Sequence, residues 1–353
     1  MAKSLPVLLK HNTRTRGTQF SAGSLAETLH DRLLGQDHVL RELIPYLEMY
    51  EANLNPVGRP AGVFLLLGPT GTGKTRTAEV VAEALHGNDR QLLRIDCGEY
   101  QLDHEVAKLV GAPPGYLGHR ETQAALSQQR LESVTSEYSR LSVVLFDEIE
   151  KAAPSMTRIL LGILDKAFLR TGDNNPVNFE NSVIFLSSNL GAKEMAEQIR
   201  PAIGFFDGSP SLADAAPAGG VADKLHAAAL HAVRKRFAPE FMNRIDACLT
   251  YRPLSSETMA SILDQQLQAL QTHLDLRLGL QTFTLRYTPT CRDFLLRIGC
   301  SSEYGARELK RAIHRWLLQP LASMVIRKQL PAARRVEVDY SEEESRTVFR
   351  LLR

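Results

Sequence analysis

The string Gly68-Pro-Thr-Gly-Thr-Gly-Lys-Thr75 constrains this chain more than any other part of it. It satisfies G-x-x-x-x-G-K-[ST] and stands between an apolar run, residues 63–67, and a stretch of helical spacing. Gly68, Gly71 and Gly73, with Pro69, Thr70 and Thr72 between them, let backbone N–H groups turn inward and cradle phosphate oxygens at a helix N-terminus. Lys74 then reaches the terminal phosphates and Thr75 ligates Mg²⁺. A second apolar run ends in adjacent acids, Val143-Val-Leu-Phe-Asp-Glu-Ile-Glu150. Asp147 suits the metal side, and Glu148 suits polarising an attacking water. Nucleotide hydrolysis needs both a metal anchor and a water-orienting base. No constellation of His, Cys or Ser nucleophiles competes with this reading.

Around these motifs the hydrophobic period sets the architecture. Leu25, Leu29, Leu33 and Leu34 share one helical face, and a second helical run covers residues 39–50. The period then shortens. Apolar runs at 63–67, 92–95, 143–146, 183–186 and 248–251 are separated mostly by helical stretches, the rhythm of a parallel sheet covered on both faces. This predicts an α/β fold, a doubly wound parallel sheet over residues 25–254. Residues 206–221 are small, polar and rich in helix breakers, which predicts a surface loop. After Pro253, Ser255 is placed to cap a long helix to Leu278, opening a smaller, mainly helical α+β domain over residues 255–353. It continues with helices from about residue 290 and over 306–328, and strand-like alternation at 335–340. Residues 1–24 carry Lys3, Lys10, Arg14 and Arg16 with no acid, and are expected to be a loose basic leader.

Composition serves mainly to exclude. With 353 residues, 44% hydrophobic and 23% charged, the chain holds more than one compact core and is neither disordered nor fibrous. Its apolar runs are far shorter than the roughly 18 residues of a spanning helix, so no membrane is expected as a partner. Cys97, Cys248, Cys291 and Cys300 are scattered without metal or disulfide spacing, which fits a cytoplasmic protein. A net charge of +2 argues against nucleic acid as the default partner.

Six segments together carry a family resemblance. They are the phosphate loop, Phe146-Asp-Glu-Ile-Glu-Lys-Ala152, Gly111-Ala-Pro-Pro-Gly-Tyr-Leu-Gly118, Ser187-Ser-Asn-Leu-Gly191, Arg236-Phe-Ala-Pro-Glu-Phe-Met-Asn-Arg-Ile-Asp246 and Tyr304-Gly-Ala-Arg-Glu-Leu-Lys-Arg311. In order and spacing they resemble the second ATPase domain of the Clp heat-shock unfoldases, a branch of the AAA+ superfamily of P-loop NTPases, over about residues 25–339. The resemblance implies ATP and Mg²⁺ as cofactors, a homo-oligomeric ring, a hexamer in that family, and polypeptide substrates threaded through its pore. It assigns Leu34 and Gly35 to the segment that packs on adenine, Asn189 to the first sensor and Arg307 to the second. Arg244 matches the arginine finger that enters the neighbouring subunit's site, and Tyr116 the pore residue that grips polypeptide. Ile203-Gly204-Phe205 is similar to the tripeptide with which some relatives dock on a ClpP-like peptidase. Two departures stand out. The sequence carries one ATPase module where the family has two, and Lys166-Ala-Phe-Leu-Arg-Thr-Gly-Asp-Asn-Asn-Pro-Val-Asn-Phe179 replaces the family's Asp-Gly-Arg stretch. The rival readings are a AAA+ module acting on DNA and a nucleotide-gated scaffold.

Overall fold

A computed structural model of the chain describes residues 22–111, 124–199, 221–300, 305–332 and 334–352. In the first part, α1 (Ala22–Arg32) and α2 (Asp37–Glu51) precede β1 (Gly62–Leu67) and α3 (Lys74–His86). Then come β2 (Leu93–Asp96), α4 (Asp103–Val110), α5 (Gln128–Ser133), β3 (Ser142–Asp147) and α6 (Pro154–Lys166). A hairpin of β4 (Phe168–Arg170) and β5 (Pro176–Asn178) leads to β6 (Ser182–Ser188), α7 (Ala192–Ile199), α8 (Val221–Arg236), α9 (Pro239–Met242) and β7 (Ala247–Thr250). The leader expected to end at residue 24 is already helical from Ala22, and the loop expected through residue 221 gives way to α8 at Val221.

All five apolar runs form one parallel sheet in the order β2-β3-β6-β1-β7. Every residue of β1, β3 and β6 is buried, as expected where helices cover both faces. Alternation divides them between two cores. Val63, Leu65 and Leu67 meet Val144, Phe146, Ile184 and Leu186 beneath α4, α6 and α8. Phe64 and Leu66 face the other way, with Val143, Leu145, Val183 and Phe185, against α1, α2 and α3. Each such side chain taken from water contributes roughly 1.5–3 kcal/mol, so the central strands anchor the sheet.

This order fixes where the chemistry lies. The register pairs Leu67 with Ser188 and Phe146 with Leu186, so the phosphate loop, Asp147 and Asn189 all leave the sheet at its carboxyl edge. Strand β6, inserted between β1 and β3, opens a crevice there, where open α/β sheets bind ligands.

The C-terminal part has its own core, which shares no buried residue with the other two. Ser255 caps α10 (Ser256–Leu278) by accepting from Thr258 N, and Met259, Leu263, Leu267, Leu270 and Leu274 line its inner face. They pack on β8 (Thr284–Tyr287), α11 (Pro289–Gly299), α12 (Ala306–Ile313), α13 (Gln319–Ile326), β9 (Arg335–Ser341) and β10 (Arg346–Leu352). The strands form the sheet β10-β9-β8. A π-helical stretch, His314–Leu318, joins α12 to α13 just before Pro320. Proline has no N–H for the carbonyl four residues back, and Trp316 O accepts instead from Thr347 Oγ1 at 2.6 Å.

Candidate active site

The phosphate loop is held from below by backbone fit. A Cβ on Gly68 would lie 2.6 Å from Tyr251 O, and its φ is +144°, so no other residue fits without displacing the end of β7. Tyr251 is fully buried under the loop and its hydroxyl bonds Thr77 Oγ1 at 2.6 Å. Gln36, with no exposed surface, ties the loop to that same corner. Its amide donates to Thr72 O at 3.1 Å and Arg252 O at 2.9 Å, and accepts from Arg252 N at 3.3 Å.

Lys74 opens α3 and folds back over the loop. Its ammonium donates to Gly68 O (2.6 Å), Pro69 O (2.7 Å) and Asn189 Oδ1 (2.9 Å). Asn189 Nδ2 in turn donates to Glu148 Oε1 at 3.2 Å. An amide placed between an ammonium and a carboxylate has only one sensible orientation, oxygen toward lysine and nitrogen toward glutamate. Glu148 has a left-handed backbone (φ +56°), a conformation costing of order 1–2 kcal/mol in a non-glycine residue, immediately after the end of β3. Its N–H donates to Ser187 Oγ at 3.0 Å, and its other carboxylate oxygen pairs with Lys151 at 2.6 Å. Ser187 Oγ and Arg94 Nη2 donate to the two oxygens of Asp147. Glu150 Oε1 accepts from Asn189 N at 3.0 Å, while its Oε2 is buried without a hydrogen-bond partner.

Burial pushes the Lys74 ammonium down to about 8, and the Arg307 guanidinium pushes the same way; Glu150, Asp147 and Glu148 pull against them. A buried cation that its surroundings only partly compensate is a place for an anion.

Several of these groups line a pocket of about 490 Å³. Its lining combines Thr70–Thr75, Asp147, Glu148 and Asn189 with an apolar set, Leu33, Leu34, Leu254 and Ile262. Arg307 reaches the pocket from α12. The two parts of the chain touch directly here, because Ala306 N donates to Gly71 O at 3.2 Å. The cationic loop, oxygen donors and apolar set fit a nucleotide, phosphates on the loop and base against the apolar side chains. The hydroxyl of Thr75 and carboxylate of Asp147 are hard donors of the kind Mg²⁺ takes. Among the described residues no three His, Cys, Asp or Glu side chains converge as a metal cage, so a cation held by Thr75 and Asp147 completes its shell with phosphate oxygens or water.

The expected residues divide. Leu34, Thr70, Gly71, Thr72, Gly73, Lys74, Thr75, Asp147, Glu148, Asn189 and Arg307 come together around the pocket. Gly68 and Pro69 lie behind it, supplying the carbonyls that hold Lys74. Gly35 does not line it either; its backbone is left-handed and a Cβ would lie 2.6 Å from Thr258 Cγ2, which makes it a turn packed on α10. Arg244 stands outside, paired with Asp165 at 3.2 Å. Tyr116, Ile203, Gly204 and Phe205 lie outside the described residues. Gln36, Tyr251, Arg94, Ser187 and Gly305 were not singled out from sequence. Ser187 and Gly305 stood inside quoted motifs and Tyr251 closed an apolar run, but none was given a role; Gln36 directly follows Gly35.

Residues 59–248 match the family described as AAA domain (Cdc48 subfamily), and residues 254–338 match the C-terminal, D2-small domain, of ClpB protein. The chaperone protein ClpB of Meiothermus ruber is 36% identical over 86% of this chain and 32% of its own length. The ATP-dependent Clp protease ATP-binding subunit ClpC of Staphylococcus aureus is 33% identical over 91% of this chain and 37% of its own. The chain thus spans about a third of the length of these curated relatives. The Saccharomyces cerevisiae Hsp104:casein complex in its extended conformation superposes with a TM-score of 0.77 at 26% identity, over 96% of this chain and 53% of that one. The Hsp104-ADP complex gives 0.75 at 27% identity over 93% and 52%. The chain belongs to the AAA family, in its Clp branch, where it corresponds to the second ATPase domain and the small domain that follows it.

Proposed function

We propose that the chain is an ATP-dependent protein unfoldase or remodelling chaperone of the Clp type, acting in the cytoplasm as a homo-oligomeric ring, a hexamer, on polypeptide substrates. The observation that carries this reading is the continuous link Lys74–Asn189–Glu148, which joins the phosphate loop to the water-activating carboxylate within one pocket. ATP takes the pocket with its base against Leu34 and its phosphates on Thr70–Thr75. Lys74 exchanges its carbonyl partners for phosphate, and Arg307 reports that change to the small domain. Mg²⁺, held by Thr75 and Asp147, supplies neutralisation of phosphate charge. Glu148 orients the attacking water and takes its proton, with Asn189 fixing the carboxylate. Arg244 completes the site of the next subunit. Tyr116 grips the threaded chain. The division of labour follows the boundary at residues 254 and 255, with a large domain over 25–254 and a small one over 255–353.

A second reading, the ATPase subunit of a ClpP-like peptidase docked through Ile203, Gly204 and Phe205, is favoured by the match to a relative named as a Clp protease subunit. The test of the first is Glu148→Gln. Nucleotide binding persists, turnover falls by about 10²–10⁴, the usual contribution of a positioned base, and labelled casein is retained in ATP. Parental turnover in that variant overturns the assignment.

A further inference from the structure

Arg94 has no part in the function just described, yet its guanidinium sits on the carboxylate through which that function engages its metal. It lies in β2, two residues before Asp96, and the strand's alternation exposes both. The register sets Asp96 level with Asp147, so Arg94 reaches across to the end of β3 from one step below. With Arg94 on Oδ2 and Ser187 on Oδ1, each oxygen of Asp147 already accepts a hydrogen bond. The Asp147 side chain is only 10% exposed, whereas that of Arg94 is 50% exposed.

A carboxylate this deeply buried is costly unless a cation compensates it. Lys74 is engaged elsewhere, on two loop carbonyls and Asn189. The direct counter-charge on Asp147 is therefore Arg94. A guanidinium does not surrender its proton at any working pH, so Oδ2 becomes available only when the whole group moves aside. Its half-exposed stem can move without opening the core. An incoming divalent cation replaces the lost charge, and the phosphates travelling with it give the guanidinium a new anionic neighbour, since Arg94 lines the same pocket. A bare cation offers no such exchange.

We propose that Arg94 is an internal counter-ion that keeps Asp147 from capturing a divalent cation until the cation arrives chelated to nucleotide. Metal and nucleotide then enter together, and a metal-loaded, nucleotide-free subunit does not accumulate. The proposal rests on the reading of Asp147 as the carboxylate on the metal side.

The experiment titrates the nucleotide-free chain with Mn²⁺, following free ion by electron paramagnetic resonance, alongside nucleotide affinity measured with and without Mg²⁺. Arg94→Gln should gain about tenfold or more in Mn²⁺ affinity at one ion per chain, because a cation's repulsion from the site is removed. Arg94→Lys, which keeps the charge, should stay near the parent. Adding Asp147→Asn to Arg94→Gln should abolish the gain. An Mn²⁺ affinity equal to the parent's in Arg94→Gln, or a gain that survives Asp147→Asn, overturns the proposal. The single variant Asp147→Asn separates the two levels. If Mg²⁺ still strengthens its nucleotide binding as in the parent, the reading of Asp147 fails and takes the proposal with it. If that dependence is lost while Arg94→Gln is silent, only the role of Arg94 falls.

Discussion

Arg307 and Arg244 are the same residue type, one matched to the second sensor and the other to the arginine finger, and the fold treats them differently. Arg307 projects from the first turn of α12 into the pocket, close enough to Lys74 to lower its proton affinity. Arg244, in the turn between α9 and β7, lies outside the pocket with 37% of its side chain exposed and, among the described residues, pairs with Asp165, itself 36% exposed. A half-exposed pair of this kind is worth roughly 0–1 kcal/mol, too little to hold the arginine against a better anion. The difference teaches that one chain gathers the groups of a nucleotide pocket around Arg307, while Arg244, proposed above as the finger for a neighbouring subunit, is kept out of that pocket.

The sharpest way to break this contrast is to delete each arginine's function in a different subunit. Arg244→Ala should keep its own nucleotide affinity while its assemblies lose about 10³–10⁵ in turnover, the range found for arginine fingers. Lys74→Ala has the complementary defect, a free arginine but no pocket. Mixed assemblies of the two should recover part of the parent turnover, measured across mixing ratios after subunit exchange. Strictly linear dilution with no recovery would show that Arg244 acts, if at all, within its own chain.

Much of this contrast was legible in the sequence because its parts are local. The glycines of the phosphate loop, the acids at the end of β3 and the Gly-Ala-Arg that opens α12 each lie within one short string, and five apolar runs announced five strands. What held those strings in place was not legible. Gln36 clamps the loop to Arg252 across 216 residues, and a single glutamine carries no pattern that predicts such a partner. Tyr251 read as the end of an apolar run, and nothing in that run marked it as the floor of the loop. Arg94 read as a polar residue in a short strand. The strands β4, β5, β8 and β10 also went unread, since runs of three to seven residues with mixed polarity look like loop until a partner strand supplies their hydrogen bonds.

A smaller effect should follow from loosening the contact that delivers Arg307. Gly305 has φ +52°, and a Cβ there would lie 2.7 Å from Gly71 O. Gly305→Val therefore drives the start of α12 away from the phosphate loop and carries Arg307 with it. Strain of this kind is of order 1–3 kcal/mol, so nucleotide affinity should fall roughly ten- to a hundredfold, as it should in Arg307→Ala. Arg244→Ala should not move it. Equal dissociation constants for Gly305→Val and the parent would mean that the two parts of the chain are not coupled through this contact.

The mildest test exploits the neighbour that feels Arg307, the Lys74 ammonium. In the free chain its pKa is lowered from 10.5 to about 8, by burial first and by Arg307 next. A bound phosphate is an anion and raises it again, so above pH 8 binding must take up a proton. Affinity from this residue is thus complete below about pH 8 and falls as pH rises through it, by at most about tenfold per unit. Stability of the free chain runs the other way. Because the unfolded lysine keeps its proton up to 10.5, folding releases it between about 8 and 10.5, and the cost of burying the ammonium is relieved as pH rises. Nucleotide dissociation constants from about pH 7 to about pH 9.5 should therefore rise while the contribution of Lys74 to apo-chain stability improves. Lys74→Arg, always charged, should flatten both curves; Arg307→Ala should shift the break to higher pH, and Arg244→Ala should leave it in place. A break that moves with Arg244 rather than Arg307 would reverse the assignment of which arginine belongs to the chain's own site.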